Sequence, residues 1–173
     1  RDVVRSLAQR DMLPAIYFLF SRRGCEESMK KCGEARLNLL DNQETQTLRK
    51  AIDELVRDNP NLKTHPHIDY LYKSVAVHHA GMLPSWKGAV EKLFQRGLIK
   101  AVFATETLAA GINMPARTTV ISAISKRSDD GHRFLRASEF LQMSGRAGRR
   151  GMDEVGHVVV LRHPFEHIED VAK

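Results

Sequence analysis

Residues 15–20 read AIYFLF, and SRRGCE follows at once at 21–26. An unbroken apolar run after Pro14 predicts a strand buried on both faces, as in a parallel sheet. Ser21 then offers a side-chain oxygen to open a helix, and Glu26 to Lys31 has helical character. The same alternation continues along the chain. SVAVH at 74–78, AVFA at 101–104, TTVIS at 118–122 and HVVVL at 157–161 predict further strands. Between them, residues 43–57 place Leu48, Ile52, Leu55 and Val56 at helical spacing, and Asn59 and Pro60 supply a stop. Trp86 to Gln95 carries an apolar stripe of Trp86, Val90, Leu93 and Phe94. Thr107 to Ala110 opens a short helix, and residues 134–149 contain another. Short apolar strands alternating with helices predict a layered α/β domain with a mostly parallel sheet.

The totals agree with one such domain. The chain has 173 residues, 42% of them hydrophobic, enough for a sizeable core. No stretch approaches the roughly 18 apolar residues of a membrane span. The opening RDVVRSLAQRD is charged throughout and lacks the apolar centre of a secretory signal. A start at Arg1 rather than Met suggests an excised fragment whose partner domain or targeting peptide lay upstream. Cys25 and Cys32 are too few for a disulfide framework. Seven residues apart on a helix, they would share a face yet stand too far apart to bridge. Reduced thiols and an intracellular setting are expected. Residues 33–73 are evenly balanced in charge and longer than a minimal crossover between the first two strands; a helical insertion on the domain rim is expected there. The net charge of +6 leans toward a polyanion. Its excess gathers at Lys126, Arg127, Arg133, Arg136, Arg146, Arg149 and Arg150, against Asp129, Asp130 and Glu139.

Ligands of doubly wound sheets collect beyond the carboxyl ends of strands, and three polar constellations stand there. In SRRG, Ser21 and Arg22 suit a phosphate oxygen; the other reading is a capped helix with solvated arginines. In HHAGM, residues 78–82, the His79 imidazole can donate to a phosphate and Gly81 permits close backbone approach; the other reading is a polar turn. Zinc is disfavoured, since His78 and His79 are adjacent and lack spaced co-ligands. In ATETLAAGINMPAR, residues 104–117, Thr105 and Thr107 end a strand, Gly111 lets the chain turn, and Asn113 presents an amide before Pro115. That arrangement suits nucleic-acid phosphates on one side and a nucleotide sugar on the other. Glu106 has no partner at readable spacing, which argues against a general base.

The sharpest local signal is QMSGRAGRRG at 142–151. If the segment is helical, Gln142, Arg146 and Arg149 fall within about 60° of one another. Gly145 and Gly148 then cost the helix about 1 kcal/mol each, which favours close approach to something over a plain surface helix. Clustered guanidiniums suit a nucleoside triphosphate, whose terminal oxygens they can bridge during phosphoryl transfer; a nucleic-acid backbone or a solvated face is the alternative. No GxxxxGK[ST] cradle occurs, and no strand ends in an acid pair suited to Mg²⁺. Such a chain can complete an ATP site but cannot build one, so a neighbouring domain is expected to hold the rest.

Taken in order, these segments resemble domain 2 of superfamily 2 helicases, specifically the superkiller-type DExH-box RNA helicases. IYFLFSRRGCE is similar to helicase motif IV, VHHAGM to the motif between IV and V, VFATETLAAGINMPAR to motif V, and EFLQMSGRAGRRGMDEVG to motif VI in its long form. The resemblance implies a RecA-like three-layer αβα domain over residues 1–173, working with an upstream RecA-like domain in cis that binds most of the ATP and Mg²⁺. It implies Arg149 as the finger arginine, Arg146 on the outer phosphates, and Gln142 positioning the γ-phosphate or the attacking water. Gly111 and Asn113 would lie near the nucleotide, and Ser21, Arg22, His79, Gly81, Thr105 and Thr107 toward single-stranded RNA. Movement from 3′ to 5′, RNA-processing partner proteins, and a bacterial cytoplasm or chloroplast stroma are further implications. A DNA helicase of the related repair group and a non-catalytic nucleic-acid-binding module are the alternatives.

Overall fold

The computed structural model describes residues 2–35, 37–111, 114–128 and 131–161. Helix α1 (Asp2–Gln9) leads into β1 (Ala15–Phe18), α2 (Arg22–Glu34) and α3 (Asn42–Asp58). A 3-10 turn over Pro60–Thr64 and the short α4 (Ile68–Leu71) follow. Then come β2 (Val75–His78), α5 (Pro84–Gln95), β3 (Ala101–Ala104), α6 (Thr107–Gly111) and β4 (Thr118–Ile121). The chain continues through β5 (Ser125–Ser128), β6 (Gly131–Phe134), α7 (Ala137–Ser144) and β7 (His157–Val160). Strands β2, β3, β1, β4 and β7 lie side by side in that order, and every pairing is parallel. The five apolar runs read from sequence are the five strands of this sheet.

Apolar groups cover both faces, as the absence of alternation in the runs requires. Ala15 and Val120 pack with Leu7 of α1 in one cluster. Ile16, Phe18 and Ile121 point the other way, because side chains alternate along a strand, and belong to the main core with Cys25, Met29 and Met143. Helices therefore lie on both sides of the sheet, in a RecA-like three-layer α/β arrangement.

Local chemistry sets the boundaries. Ser21 caps α2, its Oγ accepting the Gly24 N–H at 3.0 Å. Asp41 and Glu44 cap α3 reciprocally, and Asn59 ends it. Cys25 and Cys32 are unpaired and buried on α2, and burial pushes their thiols up to about 12 and about 11. Two elements were not read from sequence. The amphipathic α1 buries Val4 and Leu7. The ribbon of β5 and β6 pairs antiparallel, Lys126 opposite Arg133 and Arg127 opposite His132, in a stretch with no apolar alternation to announce it. Asp129 and Asp130 lie outside the described residues.

The segment after α7 departs from expectation. The helix stops at Ser144 with Gly145 as its cap, so Arg146 and Arg149 do not continue its stripe. Instead the chain runs as a short parallel bridge, Ala147 beside Ala116. Ala116 N–H donates to the Arg146 carbonyl at 2.9 Å, and Gly148 N–H to the Ala116 carbonyl at 2.7 Å. Gly148 has φ +89°, which a helix cannot accommodate. The close approach that the glycines suggested is made to the chain's own backbone: a Cβ on Gly156 would sit 2.5 Å from Ala147 C and Gly148 N. Gly156→Ala is therefore expected to cost about 1–3 kcal/mol in urea unfolding. Gly88→Ala, in mid-α5 with open space around it, should gain about 0.5–1 kcal/mol. A Gly156→Ala chain as stable as wild type would contradict the close approach.

Candidate functional site

The sheet order brings the three sequence constellations together. Strands β2, β3 and β1 are neighbours, so their carboxyl ends place His79, Thr105 and Ser21 along one rim. Arg22 reaches across to the HHAGM turn: a Cβ on Gly81 would lie 3.2 Å from its Nη1. Thr105 and Thr107 share a hydrogen bond between their Oγ1 atoms at 2.9 Å, and both are accessible. Ser21 and Arg22 are exposed.

The histidines behave differently from the expected phosphate donors. His78 is buried, and its Nε2 meets Glu91 Oε1 of α5 at 2.9 Å; burial lowers its pKa in spite of that carboxylate. His79 is also buried, with Nδ1 accepting the Gly81 N–H at 3.1 Å and Nε2 facing Glu26 Oε1 at 3.2 Å. Both of its ring nitrogens are engaged inside the protein, which corrects the expectation that this ring faces a phosphate. Among the described residues no three His, Cys, Asp or Glu gather as a metal site, and no helix is long and apolar enough to cross a membrane.

The arginine segment sits on the opposite rim. Its bridge to Ala116 lies just before β4, and Gly156 precedes β7. Each strand has four residues, so roughly 10 Å of sheet separates the rims. Arg149 donates Nε to Asp153 Oδ2 and Nη2 to Asp153 Oδ1, both at 2.8 Å, and its backbone N–H donates to Oδ2 at 2.9 Å. Arg117 approaches the same carboxylate through Nε at 2.9 Å and reaches Asp11 through Nη1. Arg149, Arg150, Gly148, Met152, Pro115 and Phe94 line a cavity of about 600 Å³. Gln142 is exposed on α7, outside that lining. Helix geometry does not bring it onto a stripe with the arginines.

The β3-to-β4 crossover links the threonine turn to the arginine segment. From Thr105 the chain passes through α6 and Met114 to Ala116, that is, from the carboxyl end of β3 to the amino end of β4. Arg146 donates Nε and Nη2 to the Ala109 carbonyl, the Nε bond at 3.2 Å, and so ties the arginine segment to this crossover. The carbonyl belongs to the last turn of α6, where helix geometry leaves acceptors unpaired and a cation is favoured. Gly111 closes α6. Asn113 lies outside the described residues.

Much of the basic excess around Arg146 is neutralised internally. Lys126 Nζ meets Glu106 Oε1 at 2.6 Å and Glu139 Oε1 at 2.9 Å, and Arg133 Nη2 meets Glu139 at 2.6 Å. Glu106, which had no partner at readable spacing, pairs across the fold with the ribbon. Arg133, with Lys126 and the Arg136 N–H, holds the Glu139 carboxyl well below the usual carboxylate range. Arg127, Arg136 and Arg150 remain exposed.

Residues 52–151, which hold the HHAGM turn, the β3-to-β4 crossover and the arginine segment, match the family model of the helicase conserved C-terminal domain. The chain belongs to that family. A chloroplastic DExH-box ATP-dependent RNA helicase of Arabidopsis thaliana, DExH15, is 45% identical over 172 residues, covering 99% of this chain and 14% of the relative. The probable helicase HelY of Mycobacterium tuberculosis is 43% identical over 99% of this chain and 19% of its own length. The antiviral helicase SKI2 of Saccharomyces cerevisiae is 40% identical over 94% of this chain and 13% of its own length. The chain thus spans under a fifth of these relatives.

In this helicase domain, Asp153, Arg117 and Glu26 escaped sequence reasoning. The spacing of four between Arg149 and Asp153 was a usable signal. The pairing of Glu26 with His79, 53 residues away, left none. Arg149 is the first cause holding the Asp153 carboxyl well below its ordinary range, aided by the Arg149 N–H and Arg117. A depressed carboxylate contributes stability that is fully present above the unfolded value of about 3.9 and lost as pH falls toward the folded value. The domain should therefore lose stability below about pH 4. Asp153→Asn should lack part of that acid dependence and be less stable at pH 7 by about 3 kcal/mol. Urea unfolding across pH checks both, and an Asp153→Asn domain with wild-type stability at pH 7 would contradict the pairing.

Proposed function

We propose that this chain is the second motor domain of an ATP-dependent RNA helicase that moves 3′ to 5′ on a single strand and serves RNA processing or decay. The observation that carries the reading is the pair of opposed rims with the β3-to-β4 crossover between them, which Arg146 ties to the arginine segment at Ala109. One rim offers guanidiniums beside a cavity, and the other offers hydroxyls, an arginine and a glycine turn of the kind that contact phosphates. The chain lacks the phosphate cradle and the acids that would hold Mg²⁺, so ATP and Mg²⁺ are held mainly by an upstream RecA-like domain in cis.

Arg149 is the finger. A guanidinium has five donors in a fixed plane, and the two directed at Asp153 set that plane against the cavity. When a γ-phosphate sits there, the arginine stabilises the charge of phosphoryl transfer. Arg146 joins the outer phosphates to α6, and Gln142 positions the γ-phosphate or water once the two motor domains close. Gly111 and Asn113 lie near the nucleotide. Ser21, Arg22, Gly81, Thr105 and Thr107 grip the RNA backbone, with His79 shaping the turn that carries Gly81. Backbone contacts of this kind read little sequence and weaken with salt. RNA is favoured over DNA by the plant relative, which is named an RNA helicase. An intracellular setting, in a bacterial cytoplasm or a chloroplast stroma, fits the chloroplastic and mycobacterial relatives, and proteins of RNA processing are the expected partners.

Arg149→Ala in the parent protein should lower kcat for ATP hydrolysis by at least ~100-fold. Steady-state hydrolysis at the wild-type rate would refute the finger role. Single-stranded RNA should stimulate the parent's ATPase. Stimulation by DNA alone would replace RNA with DNA as the substrate.

A further inference from the structure

The charged stretch between the first two strands and its histidines have no part in the roles assigned above, yet they close around one carboxylate. Glu26 stands on α2, a turn beyond the Ser21 cap. Its Oε1 faces His79 Nε2 at 3.2 Å, and its Oε2 lies 3.8 Å from Nε2 of His67. His65 accepts the His67 N–H on Nδ1 at 3.2 Å and stacks on Trp86 with ring centroids 3.9 Å apart. Burial pushes His65 down to about 4, so it accepts as a neutral ring. Trp86 in turn donates its indole N–H to the Val77 carbonyl of β2 at 2.9 Å. Three separate pieces of chain thus meet at Glu26: the motif IV helix, the HHAGM turn, and the segment that carries His65 and His67.

The hydrogen bonds run in one direction. Gly81 N–H donates to His79 Nδ1, so Nδ1 is unprotonated and the ring proton sits on Nε2. That N–H points at Glu26 Oε1. A carboxylate fixes both tautomer and ring orientation in this way, and the ring then fixes the Gly81 amide. The Gly81 turn is the part of the rim against which Arg22 lies.

We infer that Glu26 is a positioning residue for the nucleic-acid grip: through His79 it holds the Gly81 turn in register with Arg22, and through His67 it braces that turn with the 33–73 segment. The inference rests on the carboxyl rim being the nucleic-acid surface. Glu26 touches no ligand itself, so its effect falls on binding and not on hydrolysis.

The test compares Glu26→Leu and Glu26→Gln in the full parent protein, using fluorescently labelled single-stranded RNA and DNA oligonucleotides and the ATPase rate. Gln keeps an acceptor for His79 Nε2–H. Its N–H₂ can face His67, whose buried Nδ1 has no partner and leaves that ring's tautomer open to change. Glu26→Leu should raise the oligonucleotide concentration for half-maximal binding and half-maximal ATPase stimulation about tenfold, leaving kcat at saturation unchanged. Glu26→Gln should stay within about twofold of wild type. Unchanged half-maximal concentrations in folded Glu26→Leu would overturn the inference, as would a fall in kcat alone or a Glu26→Gln protein as impaired as Glu26→Leu. A wild-type parent that binds neither RNA nor DNA would refute the proposed function, and the inference with it. Ring ¹⁵N signals of His79 in the wild-type protein supply a readout that needs no variant to fold. Protonated Nε2 with bare Nδ1 is expected, and the opposite tautomer would overturn the relay.

Discussion

The arginine segment keeps its place without a helix. After α7 ends, residues 146–149 are held by two backbone hydrogen bonds to Ala116, by contact with Gly156, and by the carboxylate of Asp153 on Arg149. Each restraint has a sequence cause. Gly148 supplies a backbone angle open mainly to glycine, and Gly156 leaves room for another backbone to pass. Asp153 accepts from three N–H groups of Arg149 and one of Arg117, a buried charge with several donors and therefore tolerable. The two side-chain bonds to Asp153 give the Arg149 guanidinium a defined direction, which the proposed finger role requires.

The same bridge ties this rim to the other. Ala116 ends a crossover that begins at Thr105, and Arg146 grips the middle of it at Ala109. A second connection runs outside the sheet: Glu106, one residue after Thr105, meets Lys126 of the ribbon, and Lys126 meets Glu139 on α7, the helix that leads into the arginines. Two physically contiguous routes thus join the polar turn at the carboxyl rim to the guanidiniums at the amino rim. Contiguity alone is not coupling, which needs an element with two arrangements biased by both ligands. On the proposed function, that element lies at the cleft with the upstream motor domain.

The sheet was legible because its signal is local. AVFA is buried on both faces as its unbroken apolar run requires, HVVVL is an edge strand that leaves Val158 and Val160 exposed, and the Ser21 cap is written in four consecutive residues. The ribbon was not legible. Lys126, Arg127, His132 and Arg133 give no alternation, and what secures the ribbon is ion pairing with Glu106 and Glu139 elsewhere in the fold. The arginine segment was half legible. Its composition pointed to an anion, but the assumption of a continuous helix failed where two glycines favour a turn docked on another backbone. His79 failed for the same reason. Its partner Glu26 lies on a different element, and only the folded chain shows that the ring is already occupied.

On the proposed function, this chain completes an ATP site it cannot form alone. The direct test is Mg²⁺-dependent ATP hydrolysis by the purified 173-residue chain, measured beside the parent protein. The chain should give no hydrolysis above buffer, and the parent should turn over. Hydrolysis by the chain itself, abolished by Arg149→Ala, would contradict that function.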